Sequence, residues 1–253
     1  MFNIAINTFR EVTRNKFLYL ILVFALVFII FSVSLWALSL GNEWKVIVDF
    51  WLAMIEIFWL VWVLFVWSQL LFNEIEGKTI FLILSKPIKR SEFILGKFLG
   101  FSMTIFLIVF LQSLVFLWVL LVQWIQIDTL ILSSLVFSFL KLEILLSIVL
   151  FFSTFMSNML TIIVSVLVYF VSHSLTLVLD MVRRTQNEIA IYASKWLTLV
   201  FPPLEAINIK DFIGSFRDFS AVYLLSNMAY SFFYIVVIMF FAVVIFNRKK
   251  FEG

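Results

Sequence analysis

The chain contains no cysteine. Disulfides and thiolate metal sites are excluded, and the redox compartment stays undetermined. With a single histidine, His173, one copy cannot assemble a zinc centre from His and Cys ligands. Charge is scarce as well. Only 13% of the 253 residues are charged, where a soluble domain carries about a quarter. The net charge of +3 is spread along the chain rather than massed, which leaves no nucleic-acid footprint. Glycine (six) and proline (three) are few, and a short polar insert, residues 73–97, holds two of the glycines and one of the prolines.

What the chain has is apolar surface. It is 64% hydrophobic with a mean hydropathy of +1.17, and its apolar residues come in long runs. These features describe an integral membrane protein. A bilayer core of about 30 Å takes about 20 residues of helix. Six runs meet that length, over 17–40, 47–72, 99–122, 130–156, 160–179 and 221–246. They are too long for barrel strands, and in lipid each backbone group has to be satisfied within its own segment, so the spans are helical. The first run follows Arg10, Arg14 and Lys16 but exceeds signal-peptide length and has no A-x-A site after it. It reads as an uncleaved span. The fourth is interrupted by Lys141 and Glu143, which are read as its outer end, with 129–140 lying along the interface, or as residues within the span.

Lys and Arg near the span ends give the orientation. With the N-terminus inside, the inner segments (1–16, 73–97, the turn at 157–158 and the tail 247–253) carry eleven bases and the outer segments six. Both termini are expected in the cytoplasm of a multi-pass protein of the cell membrane. In residues 1–16, Phe2, Ile6, Phe9 and Val12 recur at helical steps opposite Asn3, Asn7, Arg10, Glu11 and Arg14. That pattern fits an interfacial amphipathic helix. The outer loop 180–220 is not a bare tether. It holds WLTLVF, then Pro202-Pro203, then Leu204-Glu205-Ala206, too short and broken to span yet too apolar for water. One or two interfacial or re-entrant segments are expected there. The whole is an all-α membrane domain over 17–246 with six transmembrane helices, preceded by the interfacial helix 1–16.

Polar residues inside spans mark either a pathway or structural pairing. The candidates are Glu56, Lys141, Glu143 and His173. The competing reading is snorkelling near a span end, or one ion pair between helices. Lys141 and Glu143, two apart, point in different directions and do not pair with each other. Trp44, Trp51, Trp118, Trp124 and Trp196 fall near outer ends, as an interfacial belt requires. Trp59, Trp62 and Trp67 lie deeper in the second run; they either line an apolar cavity or face lipid and pack.

The insert NEIEGKTIFLILSKPIKRSEFILGK (73–97) carries eight charges in an otherwise greasy neighbourhood. Its Gly77-Lys78-Thr79 matches the tail of a phosphate-binding loop, but the position of that motif's first glycine is Phe72, and a span rather than a strand precedes it. The chain is therefore not expected to hydrolyse nucleotide. The apolar stretch 80–84 within the insert serves either to rest on the bilayer or to fill a pocket in a partner.

The residues Glu74 or Glu76, Gly77, Lys78, Thr79, Leu84, Ser85, Lys86, Pro87, Arg90, Glu92, Phe93, Gly96 and Lys97 resemble the loop between the second and third spans of ABC-2 type permeases, the membrane subunits of ATP-driven exporters. INTFREVTRNKFLYL (6–20) is similar to that family's opening elbow helix, and FPPLEAIN (201–208) to its proline-bearing outer segment. The resemblance implies six helices per chain working as a dimer with a second copy or a close homologue. It implies a separate cytosolic ATPase, carrying the ATP and Mg²⁺, that docks on 73–97, and short re-entrant outer helices that close the exit. The chain itself would bind no cofactor. Within the family the compact permeases of multi-copper-maturation and of sodium- or drug-export operons are the nearest in style. Two other classes stand beside this one. A scaffold subunit would move no cargo. An intramembrane enzyme using Glu143 or His173 would need paired groups, such as H-E-x-x-H, that the sequence does not offer.

Overall fold

The computed structural model describes residues 1–13, 23, 26–31, 34, 43–67, 72, 89–185, 188–214 and 220–249. Among these the secondary structure is helical, without strands. The helices are α1 (Phe2–Val12), α2 (Glu43–Trp62, running on as a π-helical turn over Val63–Trp67), α3 (Arg90–Val122), α4 (Thr129–Ser153), α5 (Asn158–Thr185), α6 (Glu188–Val200) and α7 (Ala221–Arg248). A 3₁₀ turn, Lys210–Phe212, lies between α6 and α7. Five of the helices (α2, α3, α4, α5 and α7) are long and apolar enough to cross a membrane. The first apolar run, 17–40, falls largely outside the described residues. Its residues 26–31 are helical and lie on α2, with the Phe28 ring 5.6 Å from Phe50 and 5.1 Å from Trp51.

α4 is the hub. It packs against α2, α3, α5 and α7, and all ten residues from Lys141 to Leu150 are buried. An apolar helix without a polar face is stable only when surrounded in this way or by lipid. The alternative of an interfacial segment over 129–140 is corrected here. Thr129–Ser153 is one unbroken helix, and Ile131, Ser134, Leu135, Phe137 and Ser138 are buried within the bundle. The physical reason is that 129–140 contains no breaker and turns small or apolar side chains toward its neighbours. Asp128, in extended conformation, stands at the start of the helix.

α1 has two faces of different use. Ala5, Thr8 and Val12 are buried against the bundle, while Phe2 and Ile6 of the expected apolar face stay exposed. Small residues allow the close seat. A Cβ added at Gly100 of α3 would stand 2.6 Å from Thr8 Cβ and 2.7 Å from the Ala5 carbonyl oxygen. Gly96 meets Ile4 in the same way, so Gly96 and Gly100 form the small-xxx-small face that close helix packing needs. At the same end Arg90 donates to the carbonyls of Asn247 (3.3 Å) and Lys249 (2.6 Å), and the Phe93 ring stacks on Phe246 at 5.8 Å. α1, the start of α3 and the end of α7 are thus one packed corner.

Alanine at a helical glycine ordinarily stabilises by up to about 1 kcal/mol. At Gly100 the sign reverses. Gly100→Ala is expected to cost roughly 1–3 kcal/mol through overpacking, read as a lower midpoint in thermal unfolding of the detergent-solubilised protein. A raised midpoint contradicts the α1–α3 seat.

Candidate functional site

Glu56 lies thirteen residues into α2 and Lys141 twelve residues into α4. At 1.5 Å per residue each sits about 18–20 Å from its helix start, close to the middle of the bundle. Glu56 Oε1 is 3.0 Å from Lys141 Nζ, and both side chains are only 5% exposed. Residues Lys141 to Leu150 of α4 are all buried, and both members of the pair are held inside the bundle rather than at a span end. Of the competing readings made from sequence, an ion pair between helices is what the two residues form.

A third charge completes the arrangement. Beyond α6 the chain is stopped by Pro202-Pro203, whose rings cannot continue a helix, and turns inward. Leu204, Ile207, Ile209 and Ile213 are almost fully buried. From the 3₁₀ turn, Lys210 Nζ reaches Glu56 Oε2 at 2.7 Å. Each carboxylate oxygen therefore accepts from a different lysine. Asp49, two turns before Glu56, and Asp211 lie within electrostatic reach of each other, and Lys210 within reach of Asp49.

The rest of this segment is held by polar contacts. Leu204 N–H donates to the Ser172 carbonyl (3.2 Å), and the Tyr223 hydroxyl donates to the Ala206 carbonyl (2.8 Å). The Asn208 amide donates to Glu205 Oε1 (3.2 Å) and to Asp211 Oδ2 (2.8 Å). His173 lies beside this segment. Its Nδ1 lies 3.1 Å from Glu205 Oε2, close but not aligned as a hydrogen bond, and its ring stacks on Tyr169 at 5.9 Å. At the segment's end Gly214 has φ +78°, a conformation that disfavours side chains, and a Cβ there would meet the Trp44 ring at 2.5 Å.

Glu143 stands apart from this cluster. It is 4% exposed, its Oε1 has no hydrogen-bond partner, and the Ser102 hydroxyl is its polar neighbour. Trp59 is buried in the core, donates its indole N–H to Gln112 Oε1, and packs on Phe58 and Trp62 at 4.9 and 6.3 Å. A cavity of about 760 Å³, lined by Phe152, Phe201, Tyr234 and other apolar residues of α4 to α7, lies elsewhere and includes neither tryptophan. Among the described residues no three His, Asp or Glu side chains converge as metal ligands.

Of the insert, Glu74, Glu76, Gly77, Lys78, Thr79, Ser85, Lys86 and Pro87 lie outside the described residues. The last part is described. Arg90 and Glu92 open α3, with Glu92 3.6 Å from the Met1 ammonium. Gly96 seats α1, and the buried Lys97 lies 3.9 Å from Glu11 and 6.0 Å from the Phe93 ring centre. Partial burial lowers the Lys249 ammonium below its ordinary range at this same corner. Lys210 and Glu205 were not singled out by the sequence. The available signal was that Glu56 and Lys141 are single opposite charges in separate spans; nothing local pointed to Lys210. Gly96 and Gly100, four apart, also carried a readable packing signal.

No protein-family model matches the chain, and no curated protein matches it significantly.

Removing one partner of a buried ion pair typically costs about 3–5 kcal/mol. Glu56→Gln, which leaves Lys141 buried without its anion, is expected to lose stability on that scale in thermal unfolding. Lys141→Gln and Lys210→Gln each leave Glu56 one cation and are expected to cost less, as is the double change Glu56→Met with Lys141→Met. Equal losses for Glu56→Gln and Lys141→Gln contradict the shared carboxylate.

Proposed function

We propose that this chain is the membrane-spanning permease subunit of an ABC-2 type exporter, moving its cargo outward with ATP hydrolysed by a separate cytosolic subunit. In this reading 17–40 is a first span and brings the total to six. α1 is the interfacial elbow, both termini are cytoplasmic, and two copies or close homologues form the working unit in the cell membrane. The segment 201–213 is a re-entrant closure on the outer side. ATP and Mg²⁺ belong to the partner.

The observation that supports it best is where the insert ends. Arg90, Glu92, Gly96 and Lys97, the last part of the exporter-like pattern, touch α7, the N-terminus and α1. A partner pressing on 73–97 would therefore move α1, α3 and α7 as one corner. α3 and α7 both pack on α4, the helix that holds Lys141. Work applied at one end of the bundle has a packed route to the ionic cluster. A scaffold without cargo is the second reading. It is favoured by the internal pairing of Glu56, because a charge answered within the chain serves structure alone equally well.

Purification of the intact chain in mild detergent from its native membrane decides between partner-driven and autonomous readings. A nucleotide-binding subunit is expected to accompany it, and Pro87→Ala or Gly77→Val to lower the amount recovered. A chain that never brings such a subunit, and whose Pro87 and Gly77 variants behave like the parent, overturns the proposal.

A further inference from the structure

We infer that Lys210 is a releasable ionic latch. It fastens the segment 201–213 to the bundle through Glu56, while Lys141 answers the Glu56 charge whether or not the segment is seated. The inference deepens the exporter reading by naming what holds the closing segment in place. Its test uses neither ATP nor cargo, so either can fail without the other.

The two lysines that share Glu56 are not equivalent. Lys141 belongs to the most enclosed helix and is 5% exposed. Lys210 comes from a three-residue 3₁₀ turn in a segment without a longer helix, and its side chain is 21% exposed. One is fixed in the core and the other is at its edge. The edge lysine makes the shorter contact, 2.7 Å against 3.0 Å.

The consequence lies in what each departure would leave behind. If Glu56 had Lys210 alone, lifting the segment would strand a carboxylate in the middle of an apolar bundle, a state that is strongly penalised. With Lys141 in place, lifting it leaves a neutral Glu56–Lys141 pair, and the Lys210 ammonium passes to water, where it is well solvated. The cluster thereby separates a permanent pair from a removable bond. The segment's other polar ties to the bundle, Leu204 to Ser172, Glu205 near His173 and the Tyr223 hydroxyl to the Ala206 carbonyl, lie before Lys210, and His173 and Glu205 are 42% and 29% exposed. Around Lys210 itself Ile207, Ile209 and Ile213 add apolar contact, and Asp49 of α2 lies within electrostatic reach. Apolar contact is non-directional, so the Lys210–Glu56 bond is what fixes the depth and register of the seat.

The absence of native cysteine makes the test direct. Ile209→Cys, at a position 2% exposed, reports opening of the segment through its rate of reaction with a water-soluble maleimide on the full-length, detergent-solubilised protein. Ile144→Cys, at a position 0% exposed on α4, reports loosening of the whole bundle. Loss of a hydrogen bond to a charged group shifts a local equilibrium by about tenfold or more. Lys210→Gln is therefore expected to speed labelling at 209 by at least about tenfold while 144 stays unreactive. Lys210→Arg is expected to label like the parent. Lys141→Gln is expected to slow labelling at 209 below the parent rate, because lifting Lys210 then strands the Glu56 carboxylate. The latch is overturned if Lys210→Gln leaves the rate unchanged, if Lys141→Gln speeds it as much as Lys210→Gln does, or if Lys210→Gln exposes position 144 together with 209.

Discussion

A carboxylate half-way along an apolar helix must be answered by a cation, and the answer constrains everything around it. Glu56 receives two. The first, Lys141, fixes α2 against α4, so the register of these two helices is set by charge as well as by packing. The second, Lys210, draws a proline-broken segment inward until its isoleucines are buried. Without Glu56 neither lysine would have reason to be where it is. An unpaired ammonium within a bundle costs about 3–5 kcal/mol, a large share of what the burial of three isoleucines returns.

Where α1, α3 and α7 meet, the governing constraint is size rather than charge. Gly96 and Gly100 let α1 lie against α3 at backbone distance, with Ala5 and Thr8 filling the gap. Phe2 and Ile6 then face away from the bundle. That is where a helix resting on a membrane surface needs its apolar residues. The close seat also ties α1 to the end of the polar insert. α4, the most enclosed of the long helices, connects this corner with the ionic cluster. Glycine packing closes the corner at one end, and a shared carboxylate fastens the segment 201–213 near the middle of the bundle.

Much of this was readable in the sequence, and the division has physical causes. Long apolar runs are self-reporting, because the bilayer demands about 20 residues at a time, and five of them are helices here. The stop at Pro202-Pro203 followed from backbone chemistry, and α6 ends at Val200. Lys141 and Glu143 misled the placement of 129–140, since charge within a span imitates a span end when its partner is unseen. The pairing of Lys210 with Glu56 crosses 154 residues of sequence. Lys210 sits in a loop whose acids and bases balance, so composition hid it. On α1 the apolar periodicity was plain, but periodicity does not tell which face meets protein and which meets lipid. The small residues Ala5 and Thr8 decided that, and they matter only once Gly96 and Gly100 are set opposite them.

The central claim is that the segment after α6 reaches the midpoint of α2. Cysteines placed at 56 and 210 in the cysteine-free chain, treated in intact membranes with a short bifunctional thiol reagent, test it most directly. The account predicts an efficient crosslink within one chain, seen as a faster-migrating monomer that reverts on reduction. Failure to crosslink, or crosslinking only between chains, while each cysteine alone still reacts, would place the segment elsewhere and contradict it.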